Sequence, residues 1–208
     1  TRRAFGRFEA AHRNDLWTGD AMHARFLIGA RKPVLFAFID DHSRLIPGWR
    51  WGLTEDTLRL EVALRAGLGS RGVPDRLYVD NGSPFISAQL ERACAKLGIR
   101  LVHSRPGQPA GRGKIERFFR TVRDSFEVEA ALAGIVDLGE LNRLFGAWVE
   151  QVYHHQVHSE TGQTPLERFE TAGPPQLPTL VDLHEAFLWS ERRSVTKTAT
   201  VNLHGNHY

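Results

Sequence analysis

The 208-residue chain carries one cysteine, Cys94, and one methionine, Met22. A single cysteine excludes an intrachain disulfide and any cysteine-based zinc site. Cys94 lies in Leu90–Leu97, a helical pattern, which predicts a small buried residue rather than a reactive one. Long hydrophobic runs are missing too. The longest, Val34 to Ile39, is far too short to cross a bilayer, so no membrane partner is expected. The chain opens Thr1-Arg2-Arg3, without a methionine and without the layout of a signal peptide. It therefore reads as a piece excised from a cytoplasmic protein. Internal repeats and low-complexity segments are also lacking.

What is present is globular in character. A hydrophobic fraction of 41% with 25% charged residues suits a soluble domain, and the length allows one domain plus part of a second. The net charge is only +3, but its distribution is uneven. Between Arg100 and Arg123 seven Lys and Arg stand against one acid, Glu116. Taken alone, such a run suits a solvated helix face as well as an anionic partner.

Residues 1–13 are polar and basic and read as a linker. Leu16 to Ile28 alternates as one or two strands containing Asp20, and Pro33 to Asp40 is a continuous apolar run of buried-strand length. After the turn Asp41-His42-Ser43-Arg44, Leu45 to Leu53 reads as the returning hairpin strand. Leu60, Leu64 and Leu68 mark a helix over 58–68, and Asp75 to Asp80 a short strand. A helix from Ser87 to Leu97 and a strand from Ile99 to His103 come next. A glycine-rich loop then opens a basic amphipathic helix, and a further helix runs from Leu138 to His155. Hairpin strands followed by β–α alternation predict an α/β domain with helices on both faces of a mixed sheet, over residues 14–172. The proline-rich stretch 173–180 is the expected boundary. Residues 181–208, with alternating β-branched side chains near their end, read as the beginning of a small all-β module.

Chemistry is carried by acids. Asp80 ends a strand and precedes Asn81-Gly82, a favourable turn tripeptide in which an aspartate often serves only its own backbone. The functional alternative is a carboxylate facing the crevice at the C-terminal end of a parallel strand. Asp20 lies within a core strand between Trp17 and Met22, where a charge is costly unless paired or metal-bound. Asp40 and Asp41 also end a strand, in a tight turn where bonding to the backbone is the commoner use. Glu116 falls beside the buried stripe Ile115, Phe118, Phe119, Val122 and Phe126, in line with Arg112, Arg120 and Arg123. It suits an ion pair with Arg120 or a ligand role. Three carboxylates meeting in one crevice would need divalent cations, and hard oxygen donors suit Mg2+ or Mn2+. Histidines give no such pattern: His154, His155 and His158 have no metal spacing and read as helix-end residues, and His103 suits a core, surface or substrate-contact position.

At these residues the chain resembles the catalytic core of the retroviral integrase and DDE transposase superfamily, whose fold is RNase H-like. Leu16-Trp17-Thr18-Gly19-Asp20 resembles the first-strand motif holding the first acid. Phe38 to Arg44 resembles the structural turn after the second strand, which favours Asp20 over Asp40. Tyr78-Val79-Asp80-Asn81-Gly82-Ser83-Pro84-Phe85 resembles the segment with the second acid, and Pro109 to Arg120 the final segment, with Glu116 as the third. Thirty-five residues separate Asp80 from Glu116, the family's characteristic spacing. The segment from Tyr153 to Phe169 is similar to the close of that domain. The tail from Arg192 to Tyr208 is similar to the opening of the β-barrel that follows the core in Mu-like transposases. Arg112 is a departure, since relatives often carry a small polar residue there.

The resemblance implies a five-stranded mixed sheet and a transposase core whose Asp20, Asp80 and Glu116 hold two Mg2+, with Mn2+ as substitute. It implies 3′-end cleavage of transposon DNA and strand transfer into target DNA. Arg120 and Arg123, extended by Arg105, Arg112 and Lys114, would meet DNA phosphates. Partners would be transposon-end and target DNA, a second copy in a dimer or tetramer on DNA, and an AAA+ ATPase. The alternatives are an RNase H-like nuclease that does not join, and an inactive DNA-binding scaffold.

Overall fold

Residues 34–39 are apolar without a break because the strand they form is covered on both faces. In the computed structural model, which describes residues 9–104, 111–188, 195, 197–203 and 206–207, this strand, β2 (Val34–Asp40), is buried along its whole length. It pairs antiparallel with β1 (Trp17–His23) on one side and β3 (Gly48–Gly52) on the other. β4 (Arg76–Val79) adds to β1 in parallel, and β5 (Arg100–His103) to β4 in parallel, so the sheet runs β3-β2-β1-β4-β5. The mixed five-stranded sheet expected from sequence is therefore present.

Strand alternation divides the core in two. Leu35, Ala37 and Ile39 of β2 point with Met22 towards the basic helix α3 (Gly113–Thr121) and the later helix α5 (Leu138–Gln151). Val34, Phe36 and Phe38 point the other way, towards α1 (Thr57–Arg71) and α2 (Ala88–Lys96). The α3 cluster is rich in rings, with Phe145 meeting Trp49, Trp51 and Phe126 edge-on at centroid distances of 5.0, 5.5 and 4.8 Å. On the other face, a Cβ at Gly48 would lie 2.1 Å from the Ala63 carbonyl oxygen, so only glycine lets α1 lie this close to β3. The edge strand is also tied by a side chain: Asn142 of α5 accepts from the Trp51 N–H at 3.0 Å and donates to the Trp51 carbonyl at 3.2 Å. Cys94 is buried in the α2 face as expected, and burial pushes its thiol up to about 12.

α3 does not stop at Thr121. It passes through a π-turn at Val122–Phe126 into α4 (Glu127–Leu132). A 3-10 turn, Tyr153–His155, follows α5, and α6 (Pro165–Glu170) starts with a full capping box between Thr164 and Glu167.

Both ends of the chain depart from the sequence expectation. Residues 9–13 are not a free linker: the Ala10 N–H donates to the Asp41 carboxylate at 2.7 Å, and Arg13 donates to the carbonyls of Phe169, Ala172, Gly173 and Pro174. The proline-rich stretch is thereby fastened to the core. Beyond it, residues expected to begin a β-module form a helix instead, α7 (Leu180–Ala186), capped by Thr179 and with Leu183 buried against α1 and α2. The described residues of the β-branched stretch, 195 and 197–201, lie in turn and coil, and beyond them Asn202–Leu203 and Asn206–His207 pair antiparallel. The remainder of that expected barrel opening, including Arg192–Ser194, His204, Gly205 and Tyr208, lies outside the described residues.

Burial shifts the protonation of His154 and Glu61, among other groups. His154 is fully buried; its Nε2 accepts from the Ile46 N–H at 3.1 Å, so the proton sits on Nδ1, facing the Glu150 carboxylate at 3.2 Å. Burial holds its pKa below the ordinary value despite Glu150. Glu61 of α1 is 5% exposed, its Oε1 has no partner among the described residues, and burial raises its pKa from 4.5 to about 7, with Arg92 opposing. A carboxyl raised in this way weakens the fold as pH climbs from 4.5 through 7. Glu61→Gln is therefore expected to be more stable than the native chain at pH 8, by on the order of 2 kcal/mol, and to converge with it near pH 4. Urea unfolding at the two pH values checks this.

Candidate functional site

Asp20 sits in the middle of β1, opposite Ala37 of β2, on the same face as Met22 and therefore towards α3. Asp80 directly follows β4, the parallel neighbour of β1, and the register Thr18↔Tyr78 sets it level with Asp20 on the adjacent strand. The Asp80 loop is held by short local bonds. The Gly82 N–H donates to its Oδ1 at 2.9 Å, Asn81 donates to the Ser104 carbonyl at 2.8 Å, and the His103 ring lies 3.2 Å from the Asp80 carbonyl oxygen. The turn and substrate-crevice readings of Asp80 thus describe one residue: one oxygen serves the turn and the other faces the cleft.

What fills the cleft between the acids is Arg112, immediately ahead of α3. Its Nη2 lies 2.6 Å from Asp20 Oδ2 and its Nη1 lies 3.6 Å from Asp80 Oδ2. Burial raises the Asp20 pKa, Arg112 pulls it back down, and the nearby Asp80 charge raises it further. Burial alone would lower the Arg112 pKa, but the charges of Asp20, Asp80 and Glu116 together raise it. One guanidinium is thus the shared counter-charge of Asp20 and Asp80, and the charge of Glu116 acts on it from further away. Sequence reading placed Arg112 on a DNA-facing track; here it is turned inward. The available signal was its position four residues before Glu116, one helical turn away.

Glu116 lies on the exposed side of α3, and among the described residues its carboxylate has no hydrogen-bond partner. The alternative reading, an ion pair with Arg120, is not made among the described residues. Among the described residues no three His, Cys, Asp or Glu side chains come together in a group that could hold a metal. Asp20 and Asp80 share the cleft, whereas Glu116 reaches it only through the field of Arg112.

The remaining predicted cations separate into two kinds. Lys114 is turned inward, its Nζ 2.6 Å from Asp41 Oδ2; burial pulls the ammonium pKa down against that partner. Arg120 is exposed, with no ion-pair partner among the described residues, and Arg123 is half-buried beside Glu127. Arg105 lies outside the described residues, as do Gly107–Ala110 of the glycine-rich loop. Asp40 is buried and structural, accepting from the N–H groups of Asn14 and Ser43 and from the Ser43 hydroxyl at 2.6 Å. The turn it supports carries Arg44, buried and at φ 69°, which pairs with Glu9 at 2.6 Å. Glu9 also pairs with Arg168 at 2.5 Å, and Arg117 of α3 with Glu160 at 2.8 Å. This network, invisible in local sequence, fixes the start of α3 against the β2–β3 turn.

An integrase core domain model matches residues 10–109, and a second integrase core domain model matches residues 97–165. The chain is 26% identical over 185 residues to the transposase for transposon Tn552 of Staphylococcus aureus, covering 78% of this chain and 38% of that protein. The chain thus spans well under half of that relative's length. Among solved structures, a chain of the simian T-cell lymphotropic virus intasome in complex with PP2A regulatory subunit B56 gamma superposes with a TM-score of 0.70. Its identity is 19%, over 83% of this chain and 60% of that one. The HTLV-2 integrase catalytic core domain in complex with magnesium gives a TM-score of 0.64 at 17% identity, over 77% of this chain and 99% of that one. At such identities these two structures speak for the fold.

Inward and outward cations are expected to behave differently. Lys114→Met leaves the Asp41 carboxylate, 2% exposed, without its ammonium and should cost about 3 kcal/mol. Arg120→Ala should stay within about 0.5 kcal/mol of the native chain. Denaturant midpoints of the two variants check this.

Proposed function

We propose that this chain, which belongs to the DDE transposase and integrase superfamily, is the catalytic core of a transposase that cleaves transposon 3′ ends and joins them to target DNA. The observation that carries the reading is the convergence of Asp20, midway along β1, and Asp80, just past the end of its parallel neighbour β4, on one guanidinium, with Glu116 one turn beyond. Such a site is made for concentrated positive charge. The donors are hard oxygens without cysteine or histidine, and the acids already require a cation between them, so the residues fit divalent ions of the magnesium type. The magnesium complex of the HTLV-2 integrase core supports the same choice.

Asp20, Asp80 and Glu116 would hold two such ions, with Mn2+ able to replace Mg2+. When bound, a pair of divalent ions supplies charge neutralisation and Lewis-acid polarisation to the attacking and leaving oxygens of a phosphoryl transfer. The protein's own part is positioning. The largely buried β1 and its half-buried parallel neighbour β4 would fix two ligands, and α3 would present the third together with Arg120, with Arg123 in the π-turn that follows. These arginines would meet DNA phosphates, contributing affinity and salt dependence rather than sequence readout. Arg105 would extend that track. End recognition, synapsis as a dimer or tetramer on DNA, and any partnership with an AAA+ ATPase of the Mu-like kind rest on the whole protein, of which the chain would be the cytoplasmic core. The antiparallel strands near 202–207 would begin the barrel of that subgroup.

Asp80→Asn is expected to lower both end cleavage and strand transfer roughly a thousandfold, the loss of about 4 kcal/mol of transition-state stabilisation, while leaving DNA binding intact. Cleavage without joining by the native chain would instead mark a nuclease, and binding without either would mark a scaffold. Arg120→Ala should reduce the slope of log affinity against log salt by about 1.

A further inference from the structure

The contact of Arg112 with Asp20 and Asp80 creates a conflict with the proposed chemistry. A guanidinium nitrogen 2.6 Å from Asp20 Oδ2 occupies the position from which that oxygen would bind an ion. Hard divalent ions sit about 2.1 Å from their oxygens, so Arg112 and an ion cannot use the same carboxylate face together. We propose that Arg112 couples DNA binding to metal loading: it neutralises Asp20 and Asp80 in the DNA-free protein and transfers to a DNA phosphate when substrate arrives, releasing both carboxylates. This inference rests on reading Asp20 and Asp80 as metal ligands.

Several features suit Arg112 to exchange rather than to permanent pairing. Its side chain is 23% exposed and that of Asp80 is 27% exposed, so the pair is reached from solvent. The Lys114 ammonium, two residues on, is by contrast tied to a carboxylate only 2% exposed. The Arg112 grip is also incomplete: the Asp80 contact is long at 3.6 Å, and among the described residues its Nε has no hydrogen-bond partner. Gly111 has φ 104°, a conformation open to glycine, and Arg112 precedes the helix without a side-chain cap. Finally, the guanidinium fork matches a phosphate as well as a carboxylate and keeps its charge throughout, so the transfer needs no proton. The exposed Arg120 on the same helix would draw phosphate to this side of the molecule.

Mn2+ titrations followed by the electron paramagnetic resonance of free Mn2+ test the inference, with and without a short DNA duplex. Arg112→Gln is expected to bind Mn2+ on the order of tenfold more tightly than the native chain without DNA. Duplex should tighten Mn2+ binding by a larger factor in the native chain than in Arg112→Gln. Arg112→Lys keeps the charge between the acids, and therefore the weak DNA-free affinity, should Arg112→Gln fold poorly. Equal or weaker Mn2+ binding by Arg112→Gln, or the same DNA-induced factor in both proteins, would overturn the proposal. Asp20→Asn separates the two levels: if it leaves Mn2+ binding unchanged in every background, the assignment of the acids as ligands fails, and the coupling with it.

Discussion

Two carboxylates on neighbouring strands repel, and the repulsion grows as burial strips them of water. Asp20, with its side chain 9% exposed, and Asp80 can share a cleft only with positive charge between them. In this structure that charge is Arg112. Much else is arranged so that the acids cannot move apart. β1 is clamped between β2 and β4, the Asp80 loop is bonded to the end of β5, and α3 is seated on the aromatic core beneath. A cleft that carries a built-in electrostatic debt is a natural place for divalent ions, and the proposed activity uses it in that way.

The scaffold around the cleft shows how position is maintained at a distance. Asp40 and Asp41 look like candidate ligands in sequence but spend their oxygens on the chain itself: on Asn14 and Ser43, and on Ala10 and Lys114. Through Lys114 the turn after β2 holds the first turn of α3, and through Arg44, Glu9 and Arg168 it holds α6 and the entering segment. Cations that might have been counted towards DNA binding are therefore partly structural. Arg120 is the one on α3 that the fold leaves exposed and unpaired among the described residues.

The sheet was legible because its signals are local. An unbroken apolar run marks a strand covered on both faces, and a four-residue leucine repeat marks a helix lying on one of them. Asp20 and Asp80 were legible as site candidates because a charge within a core strand and an acid at a strand end stand out against their neighbours. Other features depend on partners distant in sequence. Nothing near Lys114 announces that Asp41, 73 residues away, turns it inward. Nothing near Arg13 announces four carbonyls from Phe169 to Pro174. α7 was misread because a short segment with β-branched residues downstream fits a strand as readily as a capped helix, and only the burial of Leu183 against α1 and α2 decides. Arg112 was read by its charge, outward towards DNA, when the nearer charges were the acids.

In the proposed mechanism Asp20, Asp80 and Glu116 would form one divalent-ion site once the guanidinium withdraws. Anomalous diffraction at the manganese edge, from crystals of the chain grown with duplex DNA and Mn2+, tests it most directly. The account predicts manganese bound by the carboxylates of Asp20 and Asp80 with Glu116 drawn in, and Arg112 lying against a phosphate. Manganese bound elsewhere, with Asp20 still paired to Arg112 under saturating Mn2+ and DNA, would contradict it.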